Sequence, residues 1–363
     1  MKLTAPVSSL AAAMAVTVAA VEKRNTIPVL SNVLLIADHC RLTIVASDLD
    51  MEVTTHIAAD VSETGEITAN AATLLAALKK FGKTADAHMS IERGSLIVTS
   101  GKSRVQVATL LAEEFPRMNS GDFDAEFTCG SADIARLIGK TIFAASTETH
   151  QTSLCGIYLH TDGSTLATAA TDGHRLAFVS SPVEAEIPPV ILPVKAAQHV
   201  LRLLDGTNFP VDVSVSTNKI RFVFGETAIM SKLIDGTFPD YKRVIPQDAP
   251  ISAVCASADL ARAIDTASIV ADQTSSACVL KIGTDGTAKV TMHGANNQSA
   301  EDETEMECDH EYAVRFNSRY MLDTLARIDG QAEFAFQADA ASPMTIRDSA
   351  DPDAIFVVMP VRG

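Results

Sequence analysis

Ser131-Ala132-Asp133-Ile134-Ala135-Arg136 returns as Ser257-Ala258-Asp259-Leu260-Ala261-Arg262, 126 residues further on, and this near-copy sets the scale on which the chain must fold. Two other marks keep almost the same interval. Gly82, Gly206 and Gly330 stand 124 residues apart, each closing a helical run, and the Phe-Pro pairs of Glu114-Phe115-Pro116 and Thr237-Phe238-Pro239-Asp240-Tyr241 are 123 apart. A period this long gives each repeat enough chain for a core of its own. The 363 residues are therefore expected to form three α+β units, 1–122, 123–248 and 249–363, joined by connectors containing Pro, Gly and Asp.

Each unit carries two helical patterns. The first places apolar residues at helical spacing: Leu10, Ala13, Met14, Thr17 and Val21; then Ile134, Leu137, Ile138, Thr141, Ile142 and Ala145; then Leu260, Ala263, Ile264, Ala267 and Val270. The second runs over 73–81, 195–205 and 318–329 and meets its glycine, where a left-handed residue is expected just past a helix. Short β-rich runs lie around them at 41–46, 95–99, 165–169, 211–215, 220–224, 288–292 and 354–359. Their alternation fits antiparallel sheets with helices on one face. Because Leu10–Val16 belongs to the repeat, it reads as an integral helix and not as a secretory leader.

Forty-five acidic against twenty-nine basic residues leave a net charge of −16, so any polyanion must be met by a local positive surface on an acidic body. No apolar run reaches membrane-spanning length. The six cysteines include no C-x-x-C pair, which favours free thiols in a reducing cytoplasm over zinc or a disulfide framework. Cations recur on helix faces and helix ends, Arg24, Lys79, Arg136, Lys140, Lys195 and Arg202 among them, and are candidates for contacts to a nucleic-acid backbone. With no Trp, no aromatic platform and no recognition helix, such contacts would be to phosphate only and indifferent to sequence.

Asp172-Gly173-His174-Arg175 lies between two apolar runs, 166–170 and 176–179, and reads as a hairpin turn whose glycine supplies φ > 0. An Asp172–His174 general-base pair is the enzymatic alternative. No nucleophile elbow, metal-ligand pair or phosphate loop accompanies it. A plain three-repeat scaffold without a nucleic-acid role is the other alternative.

At this level of detail the chain resembles, from end to end, the bacterial DNA polymerase III beta subunits, the sliding clamps. The resemblance lies in Arg24-Asn25-Thr26-Ile27-Pro28-Val29-Leu30-Ser31-Asn32, Ser47-Asp48-Leu49-Asp50-Met51-Glu52, Thr171-Asp172-Gly173-His174-Arg175-Leu176-Ala177, Phe238-Pro239-Asp240-Tyr241-Lys242-Arg243-Val244-Ile245-Pro246 and Val357-Val358-Met359-Pro360-Val361-Arg362, in that order. It implies three DNA-clamp domains per chain, helices inside and sheets outside, and a head-to-tail homodimeric ring around duplex DNA. Geometry agrees with two copies: six helices spaced ~10 Å apart make a ring only about 19 Å across at their axes, whereas twelve leave roughly 28 Å clear for a ~20 Å duplex.

The resemblance further implies a non-enzymatic, cofactor-free and metal-free processivity factor. Its partners would be the DNA polymerase III alpha subunit, the clamp loader, and other clamp-binding polymerases and repair proteins. The implied partner-peptide pocket comprises Leu154, Thr171, Gly173, His174, Arg175, Leu176, Pro239, Arg243, Val244, Pro343, Val358, Met359, Pro360, Val361 and Arg362. The implied dimer interface pairs Lys102, Arg104, Val105 and Val107 with Ile269, Val270, Glu301, Glu303 and Glu305. Two features depart from the family. The chain ends in Gly363 where a bulky apolar residue is common, and the 148–153 loop lacks the tyrosines or arginines some members carry near DNA.

Overall fold

Helix formation follows the repeated apolar spacing and the caps around it. In the computed structural model, α1 (Val7–Val18) buries Leu10, Ala13, Met14 and Thr17, while α2 (Ala71–Lys80) starts on Asn70, whose Oδ1 accepts the Thr73 N–H at 3.0 Å. Lys79 and Lys80 in the last turn of α2 complement its negative end. The corresponding helices are α3 (Ser131–Gly139), α4 (Val194–Leu204), α5 (Ser257–Ala267) and α6 (Ser318–Leu325). The structure describes residues 1–22, 27–119, 121–161, 165–183, 185–204, 206, 208–247, 249–271, 276–295 and 297–361. Arg24 and Arg362, both sequence-predicted site residues, lie outside them, as does Asp205 at the expected end of α4.

The chain gathers into two compact units, Met1–Ile134 with Lys195–Leu233, and Ala135–Val194 with Ile234–Gly363. The second repeat thus contributes one of its sheets to each unit. In the first unit, thirteen antiparallel strands run from Ala125–Gly130 at one end to Asp60–Glu63 at the other, and Met51–Ala58 pairs with Thr227–Lys232 across two repeats. In the second, a nine-stranded sheet pairs Arg175–Ser181 with Asp351–Val358, again across two repeats. A four-stranded sheet, Ser299–Glu305, Thr287–His293, Ala277–Ile282 and Tyr312–Asn317, completes it.

Several helices stop before the sequence pattern does. α3 ends at Gly139 and the chain continues as a 3-10 turn over Ile142–Ala144, because Thr141 Oγ1 takes the Leu137 carbonyl at 2.7 Å and competes with the next helical bond. Val21 lies beyond α1, and Val270 sits in a 3-10 turn after α5. Of the three spaced glycines, only Gly206 is left-handed, with φ 67°. Gly330 serves close approach instead: a Cβ there would meet Ser349 Oγ at 2.5 Å and the Ala350 nitrogen at 3.0 Å. Gly82 has neither feature, since its nearest would-be contact is Ala85 Cβ at 3.9 Å. The six cysteines form no disulfide.

Candidate functional site: an apolar cleft beside the Asp172 turn

The turn expected at Asp172-Gly173 closes the hairpin between Leu166–Thr171 and Arg175–Ser181, with Thr171 and Leu176 as the last facing pair. Gly173 takes φ 86°. Asp172 Oδ1 accepts the backbone N–H groups of His174 (2.9 Å) and Arg175 (3.0 Å), and its Oδ2 accepts Arg175 Nε at 3.1 Å. Both carboxylate oxygens are therefore committed to shaping the loop and holding Arg175. The His174 ring is exposed and stacks on Tyr320 at 6.1 Å between centroids, so the Asp–His arrangement of a general base is not made. Arg175 is fixed further by Asp323 Oδ2 at 2.6 Å and by the Tyr320 ring 4.6 Å beneath its guanidinium. Burial, and after it the Asp172 carboxylate, push the Tyr320 phenol above its ordinary value.

The final strand reaches the turn as the next strand of the same sheet. Its register sets Val358 opposite Arg175, and the next N–H, from Met359, donates to His174 O at 2.9 Å. Pro360 bridges to Phe316, and Val361 N–H donates to Arg315 O at 2.8 Å, so the tail is held by backbone on both sides. A cavity of about 210 Å³ opens here, lined almost wholly by apolar surface from Leu154, Thr171, Gly173, Arg175, Leu176, Pro239, Asp240, Tyr241, Val244, Val357 and Met359. Its floor is firm. Leu176, Tyr241 and Val357 are buried against Ala169, Ile191 and Phe238. Tyr158 stacks on Phe238 at 4.9 Å, and the Tyr241 hydroxyl meets His160 Nε2 at 2.8 Å, so the phenol is satisfied at the back while its ring faces forward. Gly156 permits this packing, because a Cβ there would fall 2.6 Å from Ile191 Cγ2 and 2.7 Å from Leu192 O. At the rim, Val244 (47% exposed) and Met359 (37%) present apolar side chains to solvent. An apolar socket with a few fixed polar groups at its mouth has the character of a seat for apolar side chains, and among its described lining residues no pair is set for bond making.

Comparison with known proteins agrees with that chemistry. Sequence profiles of the DNA polymerase III beta subunit match residues 1–119 (N-terminal domain), 129–240 (central domain) and 242–362 (C-terminal domain). The beta sliding clamp of Caulobacter vibrioides is 39% identical over 373 residues, covering all of both chains. The chain belongs to the DNA polymerase III beta subunit family. Two solved sliding clamps share its fold. One, from Caulobacter crescentus, holds polyethylene glycol at a region proposed to tether beta motifs; it has a TM-score of 0.95 and 38% identity, covering 100% of this chain and 99% of that one. The other, from Bartonella birtlesii, is bound to griselimycin, with a TM-score of 0.96 and 33% identity over the whole of both chains. The three domains are clamp domains of mixed helices and antiparallel sheets, and the role is that of a replication processivity factor, not an enzyme.

Of the residues expected in the clamp's pocket, Leu154, Thr171, Gly173, Arg175, Leu176, Pro239, Val244 and Met359 line the cavity. Others stand outside its lining. Val358 is fully buried, Arg243 is turned out to Asp240 at 2.8 Å, and Pro343 immediately precedes the strand that begins beside Val358. His174, Pro360 and Val361 flank the cavity through the backbone links above. Sequence reasoning missed Asp240, Tyr241 and Val357 as lining residues, although Asp240 and Tyr241 stand in the Phe238–Pro246 motif.

The expected DNA-facing cations differ in their surroundings. Lys79 and Arg202 are exposed and outside every ion pair among the described residues. Lys195 reaches Glu22 and Asp48, each at 2.5 Å. Arg136 and Lys140 are drawn into the clamp itself: Arg136 pairs with Asp351, and Lys140 with Asp348 (2.8 Å), Asp351 (3.1 Å) and Asp329 (3.2 Å). Arg136 lies on α3 and Lys140 just past its end, and the surface both of them face is protein.

The two edges expected to meet between copies are both open strands. Ser103–Ala108 pairs with Ser95–Ser100 on one side, while the strand on its other side reaches only Thr109 and Leu110. Lys102 and Arg104 are exposed there, Val105 is half-buried, and Val107, at 1% exposure, points into the unit's own core. Ser299–Glu305 is the outer strand of the four-stranded sheet, with Glu301, Glu303 and Glu305 exposed and Ile269 (80% exposed) and Val270 in the neighbouring 3-10 turn. Among the described residues, no cluster of three or more His, Cys, Asp or Glu could hold a metal, and no helix is long and apolar enough to cross a membrane.

Proposed function

We propose that two copies of the chain, with domains at 1–122, 123–248 and 249–363, close head to tail into a ring around duplex DNA in the cytoplasm. The ring tethers the polymerase III alpha subunit, the clamp loader and other clamp-binding polymerases and repair proteins through the cleft beside the Asp172 turn. The observation that carries the reading is the cleft itself, a small, firmly floored apolar socket with Val244 and Met359 exposed at its rim. It suits one or two apolar or aromatic side chains of a short extended peptide, with Arg175, Pro239 and Met359 around them. Lys79 and Arg202, with Arg24 and Lys195, supply phosphate contacts without base readout, whereas Arg136 and Lys140 would have to exchange three carboxylate partners for phosphate to join them. Closure joins the open basic edge at Lys102–Ala108 to the open acidic edge at Ser299–Glu305 as strand addition between copies. The test is topological: clamp loaded onto a nicked circle should stay bound and should leave once the circle is linearised. Equal retention on the circular and linear forms would remove the ring.

A further inference from the structure

The repeat gives the apolar cleft a counterpart in the first unit. Asp48 stands 124 residues before Asp172, and its Oδ1 accepts the N–H groups of Asp50 (3.0 Å) and Met51 (2.6 Å) just as Asp172 accepts those of His174 and Arg175. Leu49 N–H bonds to Ser47 Oγ where Gly173 N–H bonds to Thr171 Oγ1. Asp50 O accepts Lys232 N–H at 2.8 Å where His174 O accepts Met359 N–H. Turn and partner strand are the same construction, and a cleft of about 720 Å³ opens beside them.

Its side chains have the opposite character. Glu52, the counterpart of Leu176, is buried and takes Arg117 Nε and Nη2, each at 3.2 Å, and Met118 N–H at 2.9 Å. Lys232 replaces Met359 and reaches Asp50 Oδ1 at 3.0 Å. Leu49 replaces Gly173 and is held at φ 79°, a conformation costly for leucine, with its side chain 39% exposed on the rim. Arg117, Lys219 and Lys232 line the cleft beside the apolar Leu49, Pro116 and Met118, and among the described residues no carboxylate belongs to the lining. The Lys219 ammonium is already positioned, 3.2 Å from Asn119 O and over the Phe123 ring at 5.0 Å. On a chain of net charge −16 the cleft lining itself is cationic, with Glu52 and Asp50 behind it as the partners of Arg117 and Lys232.

We propose that this cleft is a second docking site, for an acidic peptide segment carrying one apolar side chain. The apolar group seats against Leu49, Pro116 and Met118, and the flanking carboxylates meet Arg117, Lys219 and Lys232. Single-stranded nucleic acid is the disfavoured ligand, since among the described residues no aromatic ring lines the cleft to stack a base. The inference rests on this cleft's own charge and shape, and stands whether or not the apolar cleft binds peptides.

A short fluorescein-labelled peptide of Glu and Asp with one central Leu, titrated with the intact protein and followed by anisotropy, tests it. Saturable binding is expected that weakens with added salt, falls about tenfold or more with Lys219→Glu plus Lys232→Glu, and is unaffected by Met359→Asp. Lys219→Gln plus Lys232→Gln should give a smaller loss, and thermal unfolding of each variant guards against a folding defect. Absence of saturable binding, equal binding by the charge-reversed protein, or tighter binding of a labelled oligothymidine that competes with the peptide would overturn the proposal. So would equal affinity for the peptide with Leu replaced by Gly, because the apolar seat would then have no part.

Discussion

The turns at Asp48 and Asp172 share one hydrogen-bond pattern, yet one opens onto a cationic cleft and the other onto an apolar one. An aspartate with a hydroxyl one residue before it builds the loop, and the adjoining strand from the next repeat delivers one N–H to it. None of those groups decides what the cleft accepts. That is decided by the positions occupied by Leu176 or Glu52, Met359 or Lys232, and Gly173 or Leu49. A repeated fold can thus keep its backbone scaffolding and exchange its binding chemistry through a handful of side chains.

The apolar floor gives the largest effect with which to break the comparison. Leu176 is 3% exposed and packs in the cluster with Ile191, Phe238, Tyr241 and Val357. Leu176→Ala should cost about 2–5 kcal/mol in the second unit and abolish measurable binding of an apolar-aromatic peptide. A variant that unfolds like the parent in denaturant would show that this floor is loose. The charged floor should give less. Arg117→Ala leaves Glu52 buried with only the Met118 N–H at 2.9 Å and a long bond from Thr54 Oγ1 at 3.5 Å, at a cost of about 2–3 kcal/mol. Adding Glu52→Leu should recover most of that loss, since replacing both partners by apolar surface is close to neutral. Failure of the double variant to recover would mean that the ion pair stabilises the turn beyond satisfying the buried carboxylate.

How much of this could be read from the letters depended on how far apart the interacting residues lie. The Asp172-Gly173 hairpin was legible because the turn is local, and its glycine takes the conformation the dipeptide suggests. Most of the apolar lining was legible through family motifs, but the roles of Tyr241 and Val357 were not, because each depends on which face of its segment meets the floor. Arg136 and Lys140 show the limit most plainly. Helical spacing placed them opposite the core of α3, and their carboxylate partners arrive 215 and 208 residues later in the chain. No local pattern reports such a pairing. The spaced glycines marked the repeat correctly, yet Gly330 is required by the approach of Ser349 and not by a left-handed turn.

The second unit also buries charge, in the cluster of Arg136 and Lys140 with Asp348 and Asp351, and pH reads it. Burial acts to raise the Asp348 carboxyl, but Lys140 and the N–H groups of Asp329, Ala350 and Gly330 outweigh it and hold it below its usual value; Asp351 is likewise depressed, against burial, by Arg136 and Lys140. A depressed carboxyl contributes stability that is present above its unfolded value near 4 and is lost as pH falls through the folded value. For Lys140, burial acts downward, and the hydrogen bonds to Asp348 and Asp351 outweigh it and raise the ammonium, so its contribution persists until pH climbs through that raised value. The melting temperature should accordingly hold down to about pH 4 and then fall. In Lys140→Met the fall should be shallower, because Asp348 and Asp351 lose a shared cation, take up protons closer to their unfolded value and so have less stability to lose in acid. An unchanged acid limb in that variant would show that the backbone N–H groups alone hold Asp348.

The smallest effect tests the comparison at its most informative position. Leu49 occupies the left-handed conformation that Gly173 takes in the other turn, φ 79° against 86°. For a residue with a Cβ this backbone costs about 1–2 kcal/mol, whereas glycine enters it freely but loses more entropy on folding. Leu49→Gly should therefore stabilise the first unit by about 0.5–1 kcal/mol, readable as a small rise in melting temperature. Gly173→Ala, where a Cβ would have no atom within 4 Å of it, should lower stability by a similar amount through backbone strain alone. If the leucine is retained for its side chain on the rim of the cationic cleft, the stabilised Leu49→Gly protein should bind the acidic, Leu-bearing peptide more weakly than the parent. Gain of stability with unchanged affinity would leave Leu49 as strain without a binding role. Loss of both stability and affinity would mean that leucine packing in the turn exceeds the strain it carries.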